Sequence, residues 1–224
     1  MLPKFKNSLL LKTALTHRSA LNESISPASE SNERLEFLGD AVLELATTGF
    51  LFKKFPHEPE GVLTAYRSSL VKTTTLAKVA QELNLGQKLY MSKGEESTGG
   101  RNNPSLLADT TEAIIGAIYL DQGYEATKKF LEKNLFNKFD QIKKLKLYQD
   151  SKSLLQEIVQ SKNFDAPLYK VIKEKGPDHD KQFTVEVLVN SKSVGTGASL
   201  IATLTGILVF LDSKIINRKI ARST

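Results

Sequence analysis

The sequence predicts an all-α domain followed by a small α+β domain, and three observations support this prediction. Apolar residues recur at helical spacing through residues 5–130. Beyond residue 150 they alternate with polar residues, as in half-buried strands. Between the two patterns, the segment 137–150 mixes lysines with few strong apolar anchors, which is typical of a helix end and a linker. We therefore predict one domain at 1–146 and a second at 147–224.

The N-terminal part contains helical stretches that are separated by polar breaks. The Ser/Pro/Asn-rich segment "SISPASESN" ends one stretch and begins the next, and Pro56 and Pro59 end the longest one. The predicted elements in chain order are a helix over Asn32–Lys54, a helix over Val62–Leu83, a polar loop over 92–104, a helix over Ser105–Leu120 and a last helix through Leu135.

The C-terminal part is predicted to have the order α-β-β-β-α. A short amphipathic helix at Ser153–Lys162 precedes "PLYKVIKEKG" and "KQFTVEVLVNSKSVGTG", in which apolar and polar residues alternate. The side chains expected on one face of the sheet are Phe183, Val185, Val187 and Val189. The segment "GPDHD" is predicted to be a loop and "VNSKS" a tight turn, and a final helical run closes the domain.

Composition restricts the chemistry of the protein. The chain has no cysteine, so disulfides, thiolate metal sites and cysteine nucleophiles are excluded. Its formal net charge of +6 favours polyanionic partners, with nucleic acid first and acidic membrane surfaces second. The N-terminus shows no secretory pattern, and we expect a cytoplasmic protein with no membrane partner.

Two groups of acidic residues stand inside otherwise apolar helical segments. Glu33, Glu36 and Asp40 are spaced so that they share one helix face, and so are Asp109 and Glu112. If the two helices meet, the like charges repel, and a hard divalent cation such as Mg²⁺ offsets that repulsion. Acidic residues on an amphipathic helix are, however, usually a solvated face, and spacing alone leaves both interpretations open.

Several segments resemble the ribonuclease III family. "NERLEFLGDAVLEL" resembles that family's signature segment, and "LLADTTEAIIGAIYLDQGY" resembles its second acidic motif. The loop "KGEESTGGRNNPS" before the second motif also matches in kind. The stretch from "SLLQEIVQ" to "VGTGAS" resembles the double-stranded RNA-binding domain that follows in bacterial members. Together the resemblance covers about residues 5–199.

The resemblance implies an endoribonuclease that works as a homodimer and cuts double-stranded RNA with Mg²⁺, with Mn²⁺ as an alternative ion. It implies 5′-phosphate and 3′-hydroxyl ends, and processing of ribosomal and other precursor RNAs. By position it implies metal-binding carboxylates at Glu36, Asp40, Asp109 and Glu112, of which Asp40 and Glu112 are also catalytic, supporting acids at Glu33 and Glu60, and a dimer-interface residue at Phe37. Glu44 is interpreted as a surface residue, and His17, which also recurs in the family, as structural.

For the second domain the resemblance implies minor-groove contacts from the first helix and the first loop. The residues at these positions are Gln156, Glu157, Pro177, Asp178 and His179. The family's third contact, a basic cluster at the start of the last helix, is missing, since nine of the twelve residues in Leu200–Leu211 are apolar. A divergent helix, a reading-frame change after Ser199 and a membrane segment are the three explanations of this tail.

The alternative function is a protein that binds double-stranded RNA without cutting it. The complete set of acidic residues argues against this alternative, because every expected position carries its acid.

Overall fold

The computed structural model describes residues 2–23, 25–144, 155–156, 159–176 and 182–199. The chain forms two compact units, Met1–Tyr148 and Gln149–Thr224. Glu157, Pro177, Asp178, His179 and the tail after Ser199 lie outside the described residues. None of the described helices is both long and apolar enough to cross a lipid bilayer.

The N-terminal unit is helical, as the sequence predicts. Its helices are α1 (Ser8–Ala14), α2 (Arg18–Asn22), α3 (Glu33–Lys54), α4 (Glu60–Val71), α5 (Thr73–Glu82), α6 (Lys93–Ser97), α7 (Pro104–Gln122), α8 (Tyr124–Asn134) and α9 (Phe139–Lys144). The predicted helix over Asn32–Lys54 is confirmed as α3, and the one over Ser105–Leu120 is confirmed as α7, which is slightly longer.

Helix α7 is the centre of this unit. The Asn103 side chain accepts a hydrogen bond from the Ser105 amide, Pro104 occupies the first turn, and the helix ends at Gly123, whose φ is 80°. Its side chains from Ala113 to Ile118 are buried almost without interruption, because α3 and α5 pack against it. An apolar helix with capped ends therefore provides a fixed support for Asp109 and Glu112.

Helices α3 and α7 approach each other at a pair of glycines. A Cβ atom added to Gly39 would overlap the carbonyl oxygen of Glu112, and one added to Gly116 would overlap the carbonyl oxygen of Leu35. The backbones of the two helices are consequently in contact at this level. This contact brings the acidic face of α3 next to that of α7.

The predicted continuous helix over Val62–Leu83 is wrong, because the chain breaks at Lys72. Lys72 is extended, with φ −62° and ψ 149°, and separates α4 from α5. The Thr75 hydroxyl donates to the Ser69 carbonyl oxygen at 2.8 Å and so fixes the corner. The run of three threonines after Lys72 is a local signal for such a break, since β-branched residues that bond to backbone groups are weaker helix formers.

Two segments predicted as loop or linker contain more structure than expected. The loop over 92–104 includes α6, and the Arg101 guanidinium holds it by bonds to Glu96 at 2.6 Å and to the carbonyl oxygens of Gly86 and Leu89 at 2.9 and 3.0 Å. Residues Phe139–Lys144 form α9, since the fully buried Phe139 ring packs among Phe50, Phe55 and Tyr66. Ile142 is also buried, and Asp140 pairs with Lys54 at 2.9 Å, so packing and an ion pair together order this stretch.

The C-terminal unit contains an antiparallel sheet in the order β1 (Leu168–Lys175), β2 (Gln182–Val189) and β3 (Lys192–Ser199). The predicted alternation in β2 is confirmed, because Val185, Val187 and Val189 are buried. They form a small core together with Leu155, Val159 and Val194. Asn190 and Ser191 both have positive φ, 48° and 62°, which is the two-residue hairpin turn whose twist matches the strands.

Candidate metal centre

Three of the predicted acidic residues come together where α3 and α7 touch. Glu36, Asp109 and Glu112 each offer a carboxylate oxygen, and these oxygens lie within 4.8 Å of one another. Glu36 lies in the first turn of α3, while Asp109 and Glu112 lie one turn apart on α7. The helical spacing read from the sequence therefore produces a compact group of oxygen ligands, here called the carboxylate cluster.

Ionisation of the carboxylate cluster is unfavourable. The pKa of Glu112 is raised to about 8, first by burial and then by the charges of Asp40, Asp109 and Glu36. Burial also raises the pKa of Glu36, with contributions from Asp109, Glu33 and Asp40. The pKa of Asp109 is raised by burial although the charge on His17 opposes it. Partly buried acids that repel one another favour the neutral form unless a cation is present.

No lysine or arginine among the described residues forms an ion pair with the carboxylate cluster. Arg18 pairs instead with Glu33 at 3.7 Å, and Arg67 pairs with Glu44 at 2.9 Å. Three half-buried carboxylates without a cationic side chain match the oxygen-ligand set that a hard divalent cation prefers. The cluster is thus suited to a metal ion, and such an ion can polarise a phosphoryl oxygen or activate water.

Asp40 is the predicted ligand that lies outside the carboxylate cluster. Its side chain is exposed, one helical turn beyond Glu36 on α3. It is close enough for its charge to raise the pKa of both Glu36 and Glu112. The structure therefore brings Asp40 into the electrostatic neighbourhood of the cluster, but not within the 4.8 Å that join the other three.

The two predicted supporting acids have other partners. Glu33 accepts a hydrogen bond from the Ser31 hydroxyl at 2.8 Å in addition to its contact with Arg18. Glu60 begins α4 and accepts a hydrogen bond from the Thr64 hydroxyl at 3.1 Å. Neither belongs to the carboxylate cluster. Phe37 is 82% exposed on α3, and Gln156 is also exposed.

A cleft of about 460 Å³ opens beside the carboxylate cluster. Its wall includes Glu36 and Asp109 together with Glu33, His17 and Arg18. Sequence reasoning interpreted His17 as structural, and no sequence pattern places its ring in this cleft. The ring arrives there through the turn before α2, which a backbone bond from the His17 amide to the Tyr90 carbonyl oxygen at 2.9 Å fixes in place.

Comparison of the two units with known proteins gives the class of protein, a nuclease with a domain that binds double-stranded RNA. Residues 7–139 match the family model described as Ribonuclease-III-like, and residues 151–199 match the double-stranded RNA binding motif. The chain belongs to the ribonuclease III family and is an endoribonuclease. The second match ends at Ser199, where the atypical tail begins.

Curated relatives support this membership over most of the chain. Ribonuclease 3 of Geobacillus kaustophilus (strain HTA426) is 48% identical over 193 residues, which is 86% of this chain and 78% of the relative. Ribonuclease 3 of Chloroflexus aggregans (strain MD-66 / DSM 9485) is 47% identical over 199 residues, 87% of this chain and 86% of the relative.

Solved structures are similar to the helical unit. The nuclease domain of ribonuclease III from Campylobacter jejuni is 47% identical with a TM-score of 0.53, covering 58% of this chain and 84% of that chain. A second structure of that nuclease domain is described as flexible in a region involved in dimer formation. It is also 47% identical with a TM-score of 0.53, and the match covers 58% of this chain and 90% of that chain.

Proposed function

We propose that the protein hydrolyses double-stranded RNA with Mg²⁺ held by Glu36, Asp40, Asp109 and Glu112. The observation that carries this proposal is the carboxylate cluster, whose three acids have raised pKa values and no cationic side-chain partner among the described residues. Asp40 is one turn from Glu36, and a change of side-chain rotamer is the movement that would add its carboxylate to the set.

Each protein group has a distinct part in the proposed reaction. A bound Mg²⁺ would supply a nucleophile near neutral pH and stabilise charge on the phosphoryl oxygens. Glu112, whose pKa is about 8 without a cation, gives up its proton when the cation is present. Glu33 keeps Arg18 next to the cleft, and Glu60 is proposed as a further support of the active centre. The products would carry 5′-phosphate and 3′-hydroxyl ends, and Mn²⁺ is proposed as a substitute ion.

The proposed assembly is a homodimer formed through α3. Phe37, Leu45 and Phe52 are 82%, 63% and 71% exposed, and helical spacing puts them on one side of the helix. Large apolar side chains that follow one helix face in solvent are typical of an interaction surface. The Campylobacter jejuni nuclease domain contains a region involved in dimer formation, which supports a dimer here.

The proposed substrates are duplex regions of ribosomal and other precursor RNAs in the cytoplasm. In the second unit, exposed Gln156 is proposed to reach the minor groove, together with Glu157, Pro177, Asp178 and His179. We propose 1–146 as the catalytic domain and 147–224 as the RNA-binding domain.

The test uses a radiolabelled RNA duplex of defined length with Mg²⁺. The wild type should cut it, and Glu112→Gln should reduce the rate by about 1,000-fold or more, because an uncharged amide is a poor ligand for a hard cation. Glu132→Gln is the matched control, since Glu132 is exposed on α8, away from the carboxylate cluster, and forms a weak ion pair with Lys128 at 3.9 Å. Equal cleavage by wild type and Glu112→Gln would overturn the site assignment.

The alternative of a protein that binds without cutting predicts a different result. It requires retarded migration of the duplex in Ca²⁺ and no product in Mg²⁺ at any enzyme concentration. The membership of the ribonuclease III family and the complete set of acidic residues favour cleavage.

A further inference from the structure

The imidazole ring of His17 is held in one orientation by its Nδ1 atom. Nδ1 accepts a hydrogen bond from the Ser19 amide at 3.3 Å and lies 2.8 Å from the Ser19 hydroxyl oxygen. That hydroxyl oxygen in turn accepts a bond from the Ser92 amide at 2.9 Å. Since the Ser19 amide donates to Nδ1, this nitrogen is an acceptor, and the Ser19 hydroxyl proton is available to donate to it as well.

The same bonds determine which ring nitrogen carries the proton. A neutral imidazole whose Nδ1 accepts hydrogen bonds is protonated on Nε2. The Nε2 atom has no hydrogen-bond partner among the residues that the structure describes, although the half-buried ring lines the cleft beside Glu36 and Asp109. The fold thus presents a fixed N–H donor without a protein acceptor at the wall of the cleft.

We propose that the Nε2–H group of His17 donates a hydrogen bond to a non-bridging oxygen of the phosphodiester group that binds at the carboxylate cluster. This inference rests on the proposed function. A phosphate oxygen is the acceptor that fits, since the substrate backbone is anionic and the carboxylates in this wall, Glu33, Glu36 and Asp109, would bring it close through a shared cation. The ring is close to the cluster, since it lines the same cleft as Glu36 and Asp109. No proton is transferred, and the role is one of binding and orientation.

The competing explanation is that His17 serves only as the N-terminal cap of α2, where its Nδ1 accepts a hydrogen bond from the Ser19 amide. Two substitutions separate the roles. In His17→Asn the amide oxygen occupies the position of Nδ1 and keeps the cap, while the donor at Nε2 is lost. In His17→Gln the amide nitrogen occupies the position of Nε2 and keeps the donor, while the cap is lost.

Of the two variants, His17→Asn is expected to be the less active and the more stable. Single-turnover cleavage of the duplex in Mg²⁺ should fall about 100-fold in His17→Asn, a typical cost of removing one oriented donor, and less in His17→Gln. The melting temperature should stay near that of the wild type in His17→Asn and fall in His17→Gln. Cleavage by His17→Asn at the wild-type rate, or cleavage losses that follow the melting temperatures, would overturn the proposal.

A second measurement does not depend on cleavage. In full-length protein labelled with ¹⁵N-histidine, the three histidines give three sets of signals, and His17→Asn identifies that of residue 17. Adding duplex RNA in Ca²⁺ should move the His17 Nε2–H proton downfield and slow its exchange with water. An unchanged signal on saturation would overturn the proposal. A wild type that shows the shift but never cuts would instead overturn the proposed nuclease function and leave the phosphate contact established.

Discussion

At the scale of single residues, the site consists of acids that burial and mutual repulsion keep from ionising easily. The pKa of Glu112 is raised to about 8 from an ordinary 4.5, first by burial and then by its acidic neighbours. Between pH 4.5 and about pH 8, Glu112 is protonated in the folded protein and ionised in the unfolded chain. Stability from this group is therefore complete below about pH 4.5 and is lost as the pH rises through about 8.

The loss of stability with rising pH leads to a prediction for the protein freed of metal ions by excess chelator. Glu112→Gln mimics the protonated acid, so it should melt at the wild-type temperature near pH 4, where the acid is protonated in both the folded and the unfolded chain. At pH 8.5 it should melt at least about 3 °C higher, the shift that about 1 kcal/mol produces in a chain of this size. Adding Mg²⁺ at pH 8.5 should stabilise the wild type more than the variant. Scanning calorimetry at both pH values measures the difference in melting temperature, and a difference that is larger at pH 4 than at pH 8.5 would contradict the prediction.

The residues that sequence reasoning identified, and those it did not, differ in their physical basis. Helical spacing is enough to pair Asp109 with Glu112 and to place Glu36 on an acidic face, because three residues make nearly one turn. It does not determine side-chain rotamers, so the separation of Asp40 from the carboxylate cluster was not foreseen. The place of His17 depends on bonds to Ser19 and Tyr90, and the contact with Tyr90 is distant in sequence.

At the scale of helices, the distance between α3 and α7 determines the site. Gly39 and Gly116 let the two backbones touch, which agrees with the close helix approach that a glycine inside a helix allows. Long helices with strong periodicity were predicted well, whereas the break at Lys72 and the short α6 and α9 were missed. Corners and single-turn helices depend on one or two tertiary contacts, such as the bond from Thr75 to Ser69.

The glycine contact leads to a prediction with a control on the same helix. Gly39→Ala should destabilise the protein by about 1–3 kcal/mol, as overpacking does, and should weaken divalent-cation binding because α3 and α7 must separate. Gly49→Ala should be neutral or stabilising by up to about 1 kcal/mol, since the nearest atom to the added methyl is the Tyr124 hydroxyl at 4.0 Å. Urea unfolding and calorimetric Mg²⁺ titration measure both effects. Equal behaviour of the two variants would show that the close approach is unimportant.

At the scale of the whole molecule, the sequence correctly predicts a helical part followed by an α+β part, because periodicity changes where architecture changes. The alternation around Val185 and Val187 was sufficient for the sheet, and the Asn190–Ser191 turn for its hairpin. The function of the tail after Ser199 depends on residues outside those the structure describes. Reading the coding DNA in all frames past that residue separates a divergent helix from a shifted frame.

The exposed apolar face of α3 leads to a prediction about the oligomeric state. Phe52→Asp should convert a dimer of 24.8 kDa chains to a monomer, because it places a charge in the exposed apolar face of α3 several turns from the carboxylate cluster. Leu9→Asp is the control, as Leu9 is 51% exposed on α1 and does not belong to that face. Size-exclusion chromatography with light scattering gives the masses. A dimeric Phe52→Asp protein, or a monomeric wild type, would refute the proposed interface.

The contact between Gly39 and Gly116 also matters for protein engineering. Since main-chain atoms are in contact at Gly39 and Gly116, the separation of α3 and α7 beside the carboxylate cluster is set by these two glycines rather than by large apolar side chains. Buried positions such as Leu43 and Ile115 are therefore open to exchange for residues of similar volume when a more heat-resistant enzyme is wanted. The two glycines are the positions that such a redesign must leave unchanged.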